Sequence, residues 1–197
     1  MQTWTAELYP GGDPSIPLFV DLDGTLLTRD CFALAFRSLI HSRPWVLGPI
    51  AMAWMRGGRP EAKALAAGLA PLEPAELPYR PSMLEVIHAQ RQTGGKVILA
   101  TASHEIVARP IADHVGLFDD VLATGPGLNL KGMNKRTEIE RWCDERGYQS
   151  YAYAGDAFAD TPIWEGSAVC LIISPSSLLR ERLRQRGISE KALTIPA

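Results

Sequence analysis

Cysteine is scarce in this chain. Cys31, Cys143 and Cys170 stand far apart in 197 residues, which excludes a disulfide framework and leaves no pair at zinc-ligand spacing. Such isolated thiols suit a reducing cytoplasm, which is the expected location. No charge of one sign dominates either: 20 Lys and Arg against 22 Asp and Glu leave a formal charge of −2. A general nucleic-acid or anionic-membrane binder needs a basic excess, so neither is expected as a partner. Long hydrophobic runs are also missing. The apolar stretch between Arg43 and Arg56 has 12 uncharged residues, short of the roughly 18 that cross a bilayer. No stable membrane insertion is expected. The opening MQTWTAELYPGG has no basic start and no apolar run, and it carries Glu7, so it does not read as a secretory signal. Residues 1–15 are expected to form a short tail. What the chain does have is 46% hydrophobic and 21% charged residues, enough for a buried core in one domain with or without an insertion.

Apolar runs rich in β-branched residues recur at residues 16–21, 96–101, 120–124, 151–156 and 169–174. Near-continuous hydrophobicity marks strands covered on both faces, as in a parallel sheet. Helical patterns separate them at Pro81 to Gln92, Glu105 to Val115, Lys135 to Arg146 and Pro162 to Ser167, with a last one at Ser176 to Arg186. Strand alternating with helix predicts an α/β fold with a doubly wound parallel sheet of five core strands. One interval breaks the rhythm. Between Leu26 and Pro81 the chain uses about 54 residues where a strand-to-helix loop takes roughly 2 to 6. Its Ala- and Leu-rich stretches Cys31 to Ser42, Trp45 to Met55 and Pro60 to Leu69 predict short helices. The expected organisation is a helical cap at 27–80 inserted into an α/β core made of 16–26 and 81–197.

The strongest chemical signal is Asp21-Leu22-Asp23-Gly24-Thr25, directly after the first apolar run. Two carboxylates leave the carboxyl end of a buried strand together, and Gly24 permits a sharp turn. Like charges so close are unfavourable unless a cation or a shared proton relieves them. Alone, the motif could equally be a solvated Asp-Gly loop.

Three further segments change that reading. Val97 to Ala100 ends in Thr101-Ala102-Ser103, Lys135 lies near the start of a helical pattern 21 residues before Asp156, and a strand ends in Gly155-Asp156-Ala157-Phe158-Ala159-Asp160. In this order the four segments resemble the motifs of the haloacid dehalogenase superfamily, most of whose members are Mg²⁺-dependent phosphatases. The wording around Thr101 to Glu105 and Lys131 to Lys135 is most similar to the phosphoserine-phosphatase-like branch, whose members carry a helical cap after the first motif. The resemblance implies a Rossmann-like core and hydrolysis of a phosphomonoester of a small metabolite. It implies Asp21 as nucleophile, forming an aspartyl-phosphate, and Asp23 as general acid and base. Thr101 and Lys135 would join them in catalysis, and Gly24, Thr101, Ala102, Ser103 and Lys135 would hold the phosphate. Mg²⁺ would be bound by the side chains of Asp21 and Asp156 and the backbone carbonyl of Asp23, with Asp160 behind them. A more distant similarity, to phosphatase-like domains fused to membrane polyprenyl transferases, keeps open a lipid phosphate as substrate. A module that signals through a phosphorylated Asp21 is the reading from another class.

Each residue also has a plainer role available. Thr101 and Ser103 would serve as a helix N-cap. Lys135 opposes the dipole if it sits in the first turn of its helix, but a helix starting at Thr137, with Glu140 closing a capping box, would remove the conflict. Lys131, four residues earlier, is the other candidate for the third-motif lysine. His41, His88, His104 and His114 show no metal spacing and read as surface or helix-end residues, with His104 near enough to the second motif to reach a substrate. The apolar segment from Trp45 to Met55 is hydrophobic nearly all round, and Gly48-Pro49 is expected to kink it. It is expected to fill the interface between cap and core. The alternative is a greasy pocket or membrane-touching lip flanked by Arg43, Arg56 and Arg59.

Overall fold

All five apolar runs become parallel strands of one sheet, and two short strands extend it. The computed structural model describes residues 2–3, 13–42, 44–69 and 72–195. The strands are β1 (Gln2–Thr3), β2 (Leu18–Val20), β3 (Val97–His104), β4 (Asp120–Thr124), β5 (Ala152–Gly155), β6 (Val169–Ile173) and β7 (Ala192–Ile195), in the order β1-β7-β6-β5-β2-β3-β4. The expected five core strands are therefore seven. Gln2–Thr3, inside the segment expected to be a tail, pairs in parallel with Leu193 and Thr194 of β7. Both additions lie at one edge, where a strand needs fewer apolar residues and leaves a weaker pattern in the sequence.

Helices α3 (Pro81–Gln92), α4 (Glu105–Val115), α5 (Met133–Glu145), α6 (Thr161–Gly166) and α7 (Ser177–Gln185) cover the two faces. Strand alternation divides the core between them. Leu18 and Val20 of β2 pack with Met83, Val86 and Ile87 of α3 and Ile111 of α4. Phe19, between them, points to the other face with Ile139 and Trp142 of α5, its ring edge-on to Trp142 at 5.4 Å. Each large apolar side chain buried this way contributes about 1.5 to 3 kcal/mol, which holds β2 centrally between β5 and β3. The chain runs outward from β2 through β3 to β4, then returns to build β5, β6 and β7 on the other side. The carboxyl ends of β2, β3 and β5 thus meet where the strand order reverses, the edge at which open α/β sheets bind ligands.

The insertion folds as α1 (Cys31–Ser42), a short 3-10 turn (Pro44–Val46) and α2 (Leu47–Leu69). Two expectations need correction here. The break within α2 falls at Gly58, whose φ of 72° and ψ of −163° suit only glycine, and not at Gly48-Pro49. Those two residues occupy the first turn, where proline has no helical hydrogen bond to lose. Nor does the apolar segment fill an interface with the core. Val46 and Ile50 turn inward onto Ala35, Leu39 and Ala62, but Trp45 and Met55 are 72% and 79% exposed, and Met52 and Trp54 are also largely outside. Arg56 is exposed, while Arg43 and the side chains of Arg59 and His41 lie outside the described residues.

Candidate active site

The first motif begins where β2 stops. Asp21 donates its backbone N–H to Ala154 O at 3.0 Å and accepts from Leu26 N at 3.1 Å, so the strand gives way to a tight loop. Gly24 makes that loop possible with a φ of 84°. A Cβ on Gly24 would also collide with the Asp156 carboxylate, which places the end of β5 directly against the loop. Asp23 is held on both oxygens: Cys31 N donates to Oδ1 at 2.6 Å, and Ser103 Oγ donates to Oδ2 at 2.5 Å. The first residue of α1 and the end of β3 therefore both aim this carboxylate.

At the end of β3, the capping role belongs to His104, whose Nδ1 accepts from Ile106 N at 3.3 Å. Thr101 and Ser103 are thereby released from the N-cap role. The Thr101 hydroxyl accepts from Ser103 N at 3.0 Å, which leaves the Ser103 hydroxyl turned to Asp23. Ala102, between them, is half-buried. Among the other histidines, His114 stacks on Tyr79 and His88 is exposed, so neither approaches the motifs.

Helix α5 starts at Met133 rather than Thr137, so Lys135 does lie in the first turn. Its position there is offset by anions from other elements. The Lys135 ammonium donates to Asp21 Oδ1 at 2.7 Å and to Tyr153 OH at 2.9 Å, and it lies 3.7 Å from Asp160 Oδ1. Burial pulls the Lys135 pKa down, but Asp21 and Asp160 overcome that and leave it above its ordinary value. Lys131 is exposed on the turn before α5.

Asp21, Asp156 and Asp160 each offer an oxygen within 4.8 Å of the others. Burial and crowding raise the proton affinity of Asp21 and Asp156. Burial, with Asp160 adding to it and Lys135 opposing, pushes Asp21 up to about 7. Burial and the neighbouring Asp160 push Asp156 up to about 6. Asp160 is itself engaged, accepting from Tyr153 OH at 2.9 Å through Oδ1 and from Ala157 N at 3.1 Å through Oδ2. Its carboxylate thus fixes the loop that carries Asp156.

Two residues of the site carry no motif. Tyr153 is wholly buried and its hydroxyl links Lys135 to Asp160. In sequence it is one more apolar strand residue, and the only hint is that a buried phenol needs a hydrogen-bond partner. Arg80, 6% exposed, donates from Nε to Thr25 O at 3.1 Å and from Nη2 to Gly24 O at 3.0 Å. It bolts the start of α3 to the turn between Asp23 and Leu26. In the sequence it is only an arginine before Pro81.

The fold and site together define a doubly wound α/β protein with four aspartates and a buried lysine gathered at the carboxyl ends of its central strands, the ligand-binding edge of such sheets. The chain belongs to the haloacid dehalogenase-like hydrolase family, whose family model matches residues 18–165. It is 34% identical over 183 residues to the uncharacterized protein y4nM of Sinorhizobium fredii, covering 92% of this chain and 34% of that protein, so the chain spans about a third of that relative's length. Solved structures share its fold. A protein of unknown function from Bordetella pertussis Tohama I superposes with a TM-score of 0.66 at 21% identity, over 92% of this chain and 97% of that one. A substrate-bound phosphoserine phosphatase superposes with a TM-score of 0.61 at 15% identity, over 91% and 92%. Among the described residues, no helix is long and apolar enough to cross a membrane.

Proposed function

We propose that this protein is a Mg²⁺-dependent phosphomonoesterase working through an aspartyl-phosphate on Asp21. The observation that carries the reading is the pairing of two differently held carboxylates at the end of β2. Asp21 lies against the buried Lys135 ammonium, while Asp23 is turned away toward Cys31 N and Ser103 Oγ. In this reading Asp21 attacks phosphorus, and Asp23 gives a proton to the leaving oxygen and later takes one from water. Lys135 supplies fixed positive charge beside the transferring group. The Ala102 N–H and the Thr101 hydroxyl stand at the same sheet edge, where they would bind phosphate oxygens. Residues 27–80 form the cap in this reading.

The donor set suits a hard divalent cation. Asp21, Asp156 and Asp160 offer only oxygens, and burial, with Asp160 adding to it, makes Asp21 and Asp156 hold protons more tightly than ordinary carboxyls despite Lys135. Asp21 and Asp156 would hold the ion, with the Asp23 carbonyl as a third donor. When bound, Mg²⁺ supplies the charge that lets a phosphate dianion approach these carboxylates. The test is phosphate release from p-nitrophenyl phosphate. Release with Mg²⁺ and its loss in excess chelator are expected, whereas full activity in chelator would remove the metal from the reading.

A stability measurement checks the same electrostatics without turnover. Folded pKa values raised above the unfolded ones mean that folding takes up protons. The associated stabilisation is complete below about pH 4 and is lost as pH rises through 6 to 7. The metal-free protein should therefore melt about 5 °C higher at pH 5.5 than at pH 8. Millimolar Mg²⁺ should raise the pH 8 value and narrow the difference. Equal melting temperatures with and without Mg²⁺ at pH 8 would count against an ion at this cluster.

A further inference from the structure

Asp23 decides where the rest of the substrate must go. A general acid protonates the leaving oxygen, so on the proposed phosphatase reading the alcohol part of the ester leaves on the Asp23 side of the phosphate. The two groups that hold Asp23, Cys31 and Ser103, are also walls of a small space of about 20 Å³ closed by Phe32, Ala35, His104 and Val107. Phe32 is a wall of a second, much larger cavity of about 590 Å³ between α1 and α2, open to solvent along Trp54 and Met55. That volume is in the range of small-molecule sites.

The larger cavity is lined by Phe32, Phe36, Ile50, Ala51, Trp54 and Met55, among others, and none of the described residues lining it is charged. Phe32 and Phe36 stack on each other at 5.8 Å and form one side of it. Such a wall offers nothing to an ammonium or a carboxylate, and burying either there without a partner is costly. Apolar carbon, by contrast, gains with every methylene removed from water.

We infer that the cavity between α1 and α2 binds the leaving group of the substrate, and that this group is an unbranched or aromatic-ended hydrocarbon chain, so that the preferred esters are alkyl phosphates with a long apolar tail. The chain enters past Phe32 from the Asp23 side and lies along Phe36, Ile50 and Trp54. The inference rests on the phosphatase reading for the direction of entry. Its binding site stands on the cavity alone.

The experiment is a homologous series of n-alkyl phosphates from butyl to decyl, each below its micelle concentration, beside phosphoserine and p-nitrophenyl phosphate. kcat/KM should rise at least tenfold from butyl to octyl phosphate, well inside the roughly fourfold per methylene that full burial would allow, and phosphoserine should fall at least tenfold below octyl phosphate. Ala51→Glu places a charge in the cavity wall and should flatten the slope of log kcat/KM against chain length. That slope is a ratio within one protein, so a general loss of active molecules does not move it. Binding of butyl- and octylphosphonate, followed by calorimetry, separates the two readings. If no ester is hydrolysed but octylphosphonate binds at least tenfold tighter than butylphosphonate, the phosphatase reading fails and the apolar site stands. If octylphosphonate binds no tighter, or the kinetic series is flat while p-nitrophenyl phosphate is hydrolysed, the inference is overturned. That holds whether the protein dimerises or sediments with phosphatidylcholine vesicles, since either result would assign the cavity to another occupant.

Discussion

Asp21→Asn is expected to lower turnover of p-nitrophenyl phosphate by at least about 10⁴-fold, the scale on which removing a nucleophile acts when the other groups cannot replace it. An amide oxygen cannot attack phosphorus to form a stable acyl-phosphate link. The variant should fold. Asp21 sits at the end of a strand whose pairing is made by backbone groups, and asparagine keeps an oxygen for Lys135 Nζ at the same place. It also removes one of the carboxyls that burial pushes up, so the variant's melting temperature should depend less on pH between 5.5 and 8 than the parent's. Steady-state kinetics and thermal melts at two pH values decide both parts. Turnover within tenfold of the parent would take the nucleophile role from Asp21.

Lys135→Ala should cost about 3 kcal/mol or more in kcat/KM, in the range of losing one preorganised charge contact, while Lys131→Ala should cost under about 1.5 kcal/mol. The difference comes from placement. Lys135 is buried and held by Asp21, Tyr153 and Asp160, so its charge needs no reorganisation during the reaction; Lys131 is exposed in a turn. Removing Lys135 also removes the charge that opposes the rise of Asp21. The metal-free variant should then lose more stability than the parent on going from pH 5.5 to pH 8. Kinetics on one substrate with matched melts would settle the ranking, and the reverse order would move the third-motif role to Lys131.

The start of α3 and the end of α4 follow from local chemistry that the sequence displays. Pro81 opens α3 at a position where no N–H is needed. Gly116 closes α4 in the left-handed conformation at a φ of 67°. The central strands were equally plain, because a strand buried on both faces has to be apolar at every position. The alternative start of α5 at Thr137 shows the limit of such signals. Thr137 and Glu140 have the spacing of a capping box, yet the helix begins four residues earlier at Met133. A turn that places Lys135 between Asp21 and Asp160 gains charge contacts that no local pattern records.

From residue order alone came the alternation of strand and helix and the inserted helical segment, which are set by neighbours within a few positions, through backbone geometry and the period of apolar burial. The grouping of the aspartates, threonine and lysine was implied by the resemblance of their motifs to a known family. Only the tertiary structure decided which groups touch. Lys135 meets Asp21 across 114 residues and Arg80 holds the Gly24 carbonyl across 56. Both contacts exist because β2 lies between β3 and β5, an arrangement fixed by how whole faces of the sheet are buried. The same holds for Trp45 and Met55, whose exposure depends on which side of α2 finds a partner. A side chain's hydrophobicity states what its burial would gain, but the packing of the other elements determines whether there is anything to bury it against.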